Sequence, residues 1–179
     1  IINKYPPAGD GGTGLVNGLT SRYQFYNFLK LKSSALESLQ GHIIKNIKMC
    51  INKFNKEGKH IPTNDLWALC WFNVLRKNEK ISQHKHRGLW DAEKSFLSGH
   101  LTIQAESTST YYLSVCENYA WSIENIPGQL IIFPTYVPHY TDTTLSKSPR
   151  ISVAFDVYDK KDLGEQAFID RGTCIPIHI

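Results

Sequence analysis

Apolar residues recur at intervals of three and four in the first third of the chain, and further on they gather in short runs that alternate with turn residues. Leu36, Leu39, Ile43, Ile47, Cys50, Ile51 and Phe54 form one stripe at helical spacing. Ser34-Ala-Leu-Glu37 has the spacing of a capping box, so a helix is expected to open there, and Gly58 is placed to end it. Helical periodicity reaches back to about Thr20. From Asp65 onward, short runs rich in Trp, Tyr, Ile, Val and Thr are separated by turn residues. They cover 66–75, 80–86, 96–104, 110–115, 120–124, 129–133, 139–144 and 150–158. Eight strands with no helix between them predict an antiparallel sandwich or barrel. The expected architecture is mainly β with N-terminal helices: a jelly roll packed against one or two long helices.

Four segments follow from this pattern. Residues 1–19, punctuated by Pro6, Pro7 and five glycines from Gly9 to Gly18, read as an irregular arm. The run Gly11-Gly-Thr-Gly14 has no lysine at Walker spacing and no preceding apolar strand, so a phosphate loop is not expected. Residues 20–60 form a helical support, 65–158 the β core and 159–179 a tail, all within a single domain. The arm and the tail are the candidate lids.

Composition changes this picture little. With 179 residues, 41% hydrophobic and 20% charged, the chain is long enough for a core without staples and is unlike a disordered or collagenous sequence. A net charge of +4, with lysines scattered, gives no reason to expect a nucleic-acid partner. No run approaches the ~18 apolar residues of a membrane span, and no leader pattern is visible, so a cytoplasmic protein is expected. Cys50, Cys70, Cys116 and Cys174 lie far apart and read as reduced thiols.

The chemistry concentrates in the β region. His84 and His86 are two apart, so on a strand both face the same way, a geometry suited to clamping a metal with neutral imidazoles. The run from Gly128 to His139 (GQLIIFPTYVPH) reads as a turn, a buried strand and a proline-shaped corner that delivers a third histidine. Arg150-Ile-Ser152 opens the strand RISVAFDV, where Ile151, Val153 and Phe155 form one apolar face. Arg150, Ser152 and Ala154 then share the other, and a guanidinium beside a hydroxyl is a bidentate clamp for a carboxylate.

HxH, Ser98-Gly99 opening the next strand, GQLIIFPTYVPH and RISVAFDV together resemble the 2-oxoglutarate/Fe(II) oxygenases, with Trp71-Phe-Asn73 similar to their lead-in strand. The resemblance spans roughly residues 65 to 158 and is prolyl-hydroxylase-like. It implies a double-stranded β-helix, Fe(II) as metal and 2-oxoglutarate as co-substrate, decarboxylated to succinate as an unidentified substrate is hydroxylated. By this resemblance His84 and His139 hold the iron and Arg150 with Ser152 binds the distal carboxylate of 2-oxoglutarate, while the HxH spacing offers His86 as the third ligand. Asn73, Thr102 and His100 are further co-substrate contacts, and no catalytic group is expected beyond the metal ligands. His86 stands where the superfamily usually has a carboxylate; Asp91, or Glu93 beside it, is the alternative third ligand.

A second resemblance, to cupins, rests on HKHRGLWD, with Asp91 in the glutamate position, and on the same GQLIIFPTYVPH block. It implies the same fold and a metal protein that does not use 2-oxoglutarate. Arg150-x-Ser152, which the cupin pattern does not call for, favours the oxygenase. The partner is expected to be a small molecule or a peptide, without nucleic acid or membrane, and the protein a monomer or homodimer.

Overall fold

The computed structural model describes residues 19–20, 32–59, 61, 65–86, 95–114, 116, 119–159 and 174–177. In chain order the elements are β1 (Leu19–Thr20), α1 (Ser34–Lys56), β2 (Leu66–Leu75), β3 (Ser95–Gln104), β4 (Ser109–Leu113), β5 (Ala120–Glu124), β6 (Leu130–Pro134), β7 (His139–Thr141), β8 (Arg150–Asp159) and β9 (Cys174–Ile177). The strands form two antiparallel sheets. In the larger, β2, β8, β3 and β6 lie side by side, and the outer edge of β2 carries both β1 and β9. The smaller runs β5-β4-β7. This is the double-stranded β-helix, mainly β with one helix among the described residues.

Strand alternation sorts the large sheet into two chemically different faces. Toward α1 point Ala68, Cys70 and Phe72 of β2, Leu97 of β3, and Val153, Phe155 and Val157 of β8, all buried in one cluster with Ile43, Ile47 and Ile51. Each of these isoleucines contributes about 1.5–3 kcal/mol by leaving water. The other face is polar in rows: Asn73, Ser152 and Thr102 lie across β2, β8 and β3, and Trp71, Ala154 and His100 form the next row. Leu69, Asp156 and Ser98 form the row beyond. One side of the sheet is the core and the other is a lined interior.

Gly99 marks a close approach within the large sheet, between β3 and its neighbours β8 and β6. A Cβ there would meet the Phe155 ring and would lie 2.7 Å from the carbonyl oxygen of Ile131. The glycine of the Ser98-Gly99 pair is thus required by packing, while Ser98 faces the interior. At the end of α1, Gly58 takes a φ of +79°, and the amide of Lys59 donates back to the Phe54 carbonyl at 3.0 Å.

Three expectations are corrected. The helix opens at Ser34, but its N-cap is Ser33, whose side chain makes no capping bond, so no capping box forms. Thr20, expected to begin the helical support, lies in β1 opposite Asn73. Residues 80–86 are not a strand: His84 makes an isolated bridge to His139, and the Ile81 amide bonds the Thr141 hydroxyl at 2.9 Å instead of a ladder carbonyl. The expected arm and its glycine run lie outside the described residues. Of the expected tail, Cys174–Ile177 is a sheet strand.

Candidate active site

The three histidines reach one place by different routes. His139 opens β7, after the corner formed by Pro134 to Pro138. His84 is fastened beside it by two backbone bonds, its amide to the His139 carbonyl at 3.0 Å and the His139 amide to its own carbonyl at 2.8 Å. The His86 amide donates to the Thr135 carbonyl at 3.2 Å, which carries the segment along the same corner. One ring nitrogen from each of His84, His86 and His139 lies within 4.8 Å of the others.

Second contacts set the orientation of all three rings. His84 Nδ1 donates to the Ser82 carbonyl at 2.9 Å and His139 Nδ1 to the Val137 carbonyl at 3.1 Å. His86 Nδ1 donates to the Asp156 carboxylate. With its proton on Nδ1, each imidazole carries a lone pair on Nε2, the form in which histidine binds a metal. His139 is held neutral: burial lowers its pKa well below the usual value, and His84 and His86 push the same way.

The same pocket, lined also by Trp71, Asn73 and His100, contains Arg150 and Ser152. Arg150 is 2% exposed. Its Nη1 reaches Ser152 Oγ at 3.4 Å, and Nη2 reaches Thr110 Oγ1 at 3.5 Å and Asn125 Oδ1 at 3.4 Å. These contacts are long, they are all to neutral oxygens, and Nε has no partner. Among the described residues no carboxylate pairs with it, and burial lowers its pKa to about 10. A buried guanidinium without a counter-ion is strongly unfavourable, so this pocket calls for an anion.

His100 lies between the two ends. Its Nε2 pairs with the Tyr112 hydroxyl at 2.6 Å, and its Nδ1 has no partner. Burial, then Arg150, then His86 lower its pKa to about 3, so it is a neutral ring at any physiological pH. Burial likewise raises the Tyr112 pKa, so its hydroxyl keeps its proton. Thr102 Oγ1 is a further buried atom without a partner. Asn73 is buried on the same face, directly opposite Ser152.

Asp91 and Glu93 lie outside the described residues. Sequence reasoning missed Asp156 and Ser98 behind His86, Tyr112 against His100, and Asn125 with Thr110 against Arg150. Asp156 was within reach, because alternation along RISVAFDV carries the face of Arg150, Ser152 and Ala154 on to it. Nothing local marks Asn125, which meets Arg150 only through tertiary folding.

Residues 69–156 match the family model described as "Putative 2OG-Fe(II) oxygenase". This segment is a 2-oxoglutarate/Fe(II) oxygenase domain. The oxygenase is therefore an oxidoreductase that depends on Fe(II) and 2-oxoglutarate. A prolyl-4-hydroxylase from Pseudomonas putida has the same fold, with a TM-score of 0.59 and 13% identity over 85% of this chain and 77% of that one. So does a prolyl hydroxylase from Trichoplax adhaerens, solved with a hypoxia-inducible-factor peptide fragment. There the TM-score is 0.63, with 13% identity over 86% of this chain and 69% of the other. No curated protein sequence matches the chain. No helix among the described residues is long and apolar enough to cross a membrane.

The residues present fit both groups that the oxygenase uses. Three imidazoles held in the metal-binding tautomer suit a divalent first-row ion. The unpartnered Nε of Arg150 and Nδ1 of His100, two residues that line the pocket, suit a small polar acid.

Proposed function

We propose that the oxygenase is a hydroxylase whose Fe(II) is held by His84, His86 and His139 and whose 2-oxoglutarate is received by Arg150 and Ser152. The observation that carries this reading is Arg150, a buried cation without a carboxylate partner among the described residues, lining the pocket that also holds the three histidines. Iron and co-substrate, when bound, supply the oxidising chemistry: dioxygen-dependent decarboxylation to succinate and carbon dioxide, coupled to hydroxylation.

The chain's own residues position and insulate. The Arg150 guanidinium and the Ser152 hydroxyl together offer one carboxylate several charge-assisted bonds. With the Tyr112 hydroxyl donating to His100 Nε2, the proton of His100 sits on Nδ1 and can be donated to a carboxylate oxygen of the co-substrate. Thr102 and Asn73 complete the same row as co-substrate contacts. Phe133 and Trp71, both lining the pocket, keep water from it.

The fold shared with an enzyme solved with a peptide bound supports a peptide, more than a small molecule, as the class of substrate. The modest charge of +4 supports a partner other than nucleic acid. A single domain acting in the cytoplasm, as monomer or homodimer, belongs to the same reading.

The test is calorimetric titration of the Mn(II)-loaded protein with 2-oxoglutarate, comparing wild type with Arg150→Ala. Removing one partner of a buried charge pair costs about 2–5 kcal/mol, so affinity should fall about 30- to several-thousand-fold. Equal binding by the variant, or none by wild type, overturns the assignment.

A further inference from the structure

We propose that Asp156 is a positioning residue of the metal centre, supplying through His86 the negative charge that three neutral imidazoles lack. The proposal rests on His86 being a ligand. The three rings are not held alike: His84 and His139 donate from Nδ1 to backbone carbonyls, whereas His86 alone donates to a carboxylate.

That carboxylate is built into the sheet. Asp156 lies on the interior face of β8, opposite Ser98 of β3, and is 1% exposed. Ser98 Oγ donates to the same Oδ1 at 2.6 Å and lies 3.1 Å from His86 Nδ1. The Tyr158 hydroxyl donates to Oδ2 at 3.3 Å. Three donors converge on one buried carboxylate, which as an ion is purely an acceptor.

Two consequences follow. The bond fixes the His86 tautomer and ring angle, which matters more here than at His84, because the His86 backbone has one bond, to the Thr135 carbonyl, where His84 has two to His139. It also makes His86 a stronger donor to a dication than a ring backed by a carbonyl, because a negative charge stands behind it. Losing such a partner typically weakens metal binding 10- to 100-fold.

Titration of the metal-free protein with Co(II), followed by its visible absorption, tests this. Asp156→Asn keeps the shape and removes the charge; it should bind Co(II) about 10- to 100-fold more weakly, with shifted ligand-field bands. Placing a carboxylate directly at the metal should make Asp156 dispensable. Affinity should therefore recover in Asp156→Asn when His86→Asp or His86→Glu is added. If Asp156→Asn matches wild type in affinity and spectrum while His86→Ala loses the metal, the role of Asp156 is overturned. Failure of both double variants to recover binding would overturn it as well, since the loss would then be structural. If His86→Ala itself binds as wild type, it is the ligand assignment beneath that fails.

Discussion

Acidification of the metal-free oxygenase should destabilise it, and His100 supplies one separable part of the loss. In the folded chain burial, with Arg150 and His86 opposing a further positive charge, lowers the pKa of this ring to about 3. In the unfolded chain it returns to about 6.5. Between those values the unfolded state holds a proton that the folded state refuses. Stability is therefore intact above the unfolded pKa and is lost as pH falls below it, by up to about 1.4 kcal/mol per pH unit. From pH 7 to pH 5 the loss integrates to about 2 kcal/mol for this one ring. His139, lowered for the same main reason, adds to the wild-type loss. His100→Phe isolates the first contribution, since the site is already lined by the rings of Tyr112 and Phe133. Urea unfolding followed by tryptophan fluorescence at both pH values is the measurement. At a slope of about 1–3 kcal/mol per molar urea, the wild-type midpoint should fall by about 1 M more than that of the variant. Equal shifts in the two proteins would refute the argument, because the acid sensitivity would then lie elsewhere.

Anaerobic Fe(II) titration of His84→Ala and His139→Ala should show binding much weaker than wild type, and an unchanged affinity in either would remove that residue from the ligand set. Gly99→Ala should destabilise the fold by about 1–3 kcal/mol, because its methyl would press on the Phe155 ring and the Ile131 carbonyl. A urea midpoint equal to wild type would show that this layer can give way.

Much of the fold was legible because two periods dominate the chain. The apolar and aromatic runs at 66–75 and 120–124, bounded by turn residues, predicted β2 and β5 to the residue, and the isoleucine stripe predicted the buried face of α1. Residues 80–86 misled for a specific reason: two histidines two apart fit a strand, yet the backbone groups of the segment are met by the Thr141 hydroxyl, one bridge and a corner carbonyl. At the site, the shared face of Arg150 and Ser152 was readable from local spacing. The neighbours that decide how polar that pocket is, Asn125, Thr110 and Tyr112, come from β4 and the turn after β5. No short-range pattern announces them.

The crowded edge of β2 has a consequence for how the chain assembles. Leu75 must find Arg150, 75 residues on, and Leu66 must find both Asp159 and Ile177. Nearly every bond that this strand makes is thus deferred until distant chain is in place, which costs loop-closure entropy before any contact repays it. A molecule so wired should fold slowly for its size. Until β9 arrives, it carries an open strand edge that a second chain could pair with. Expression yield should accordingly depend on residues 174–177.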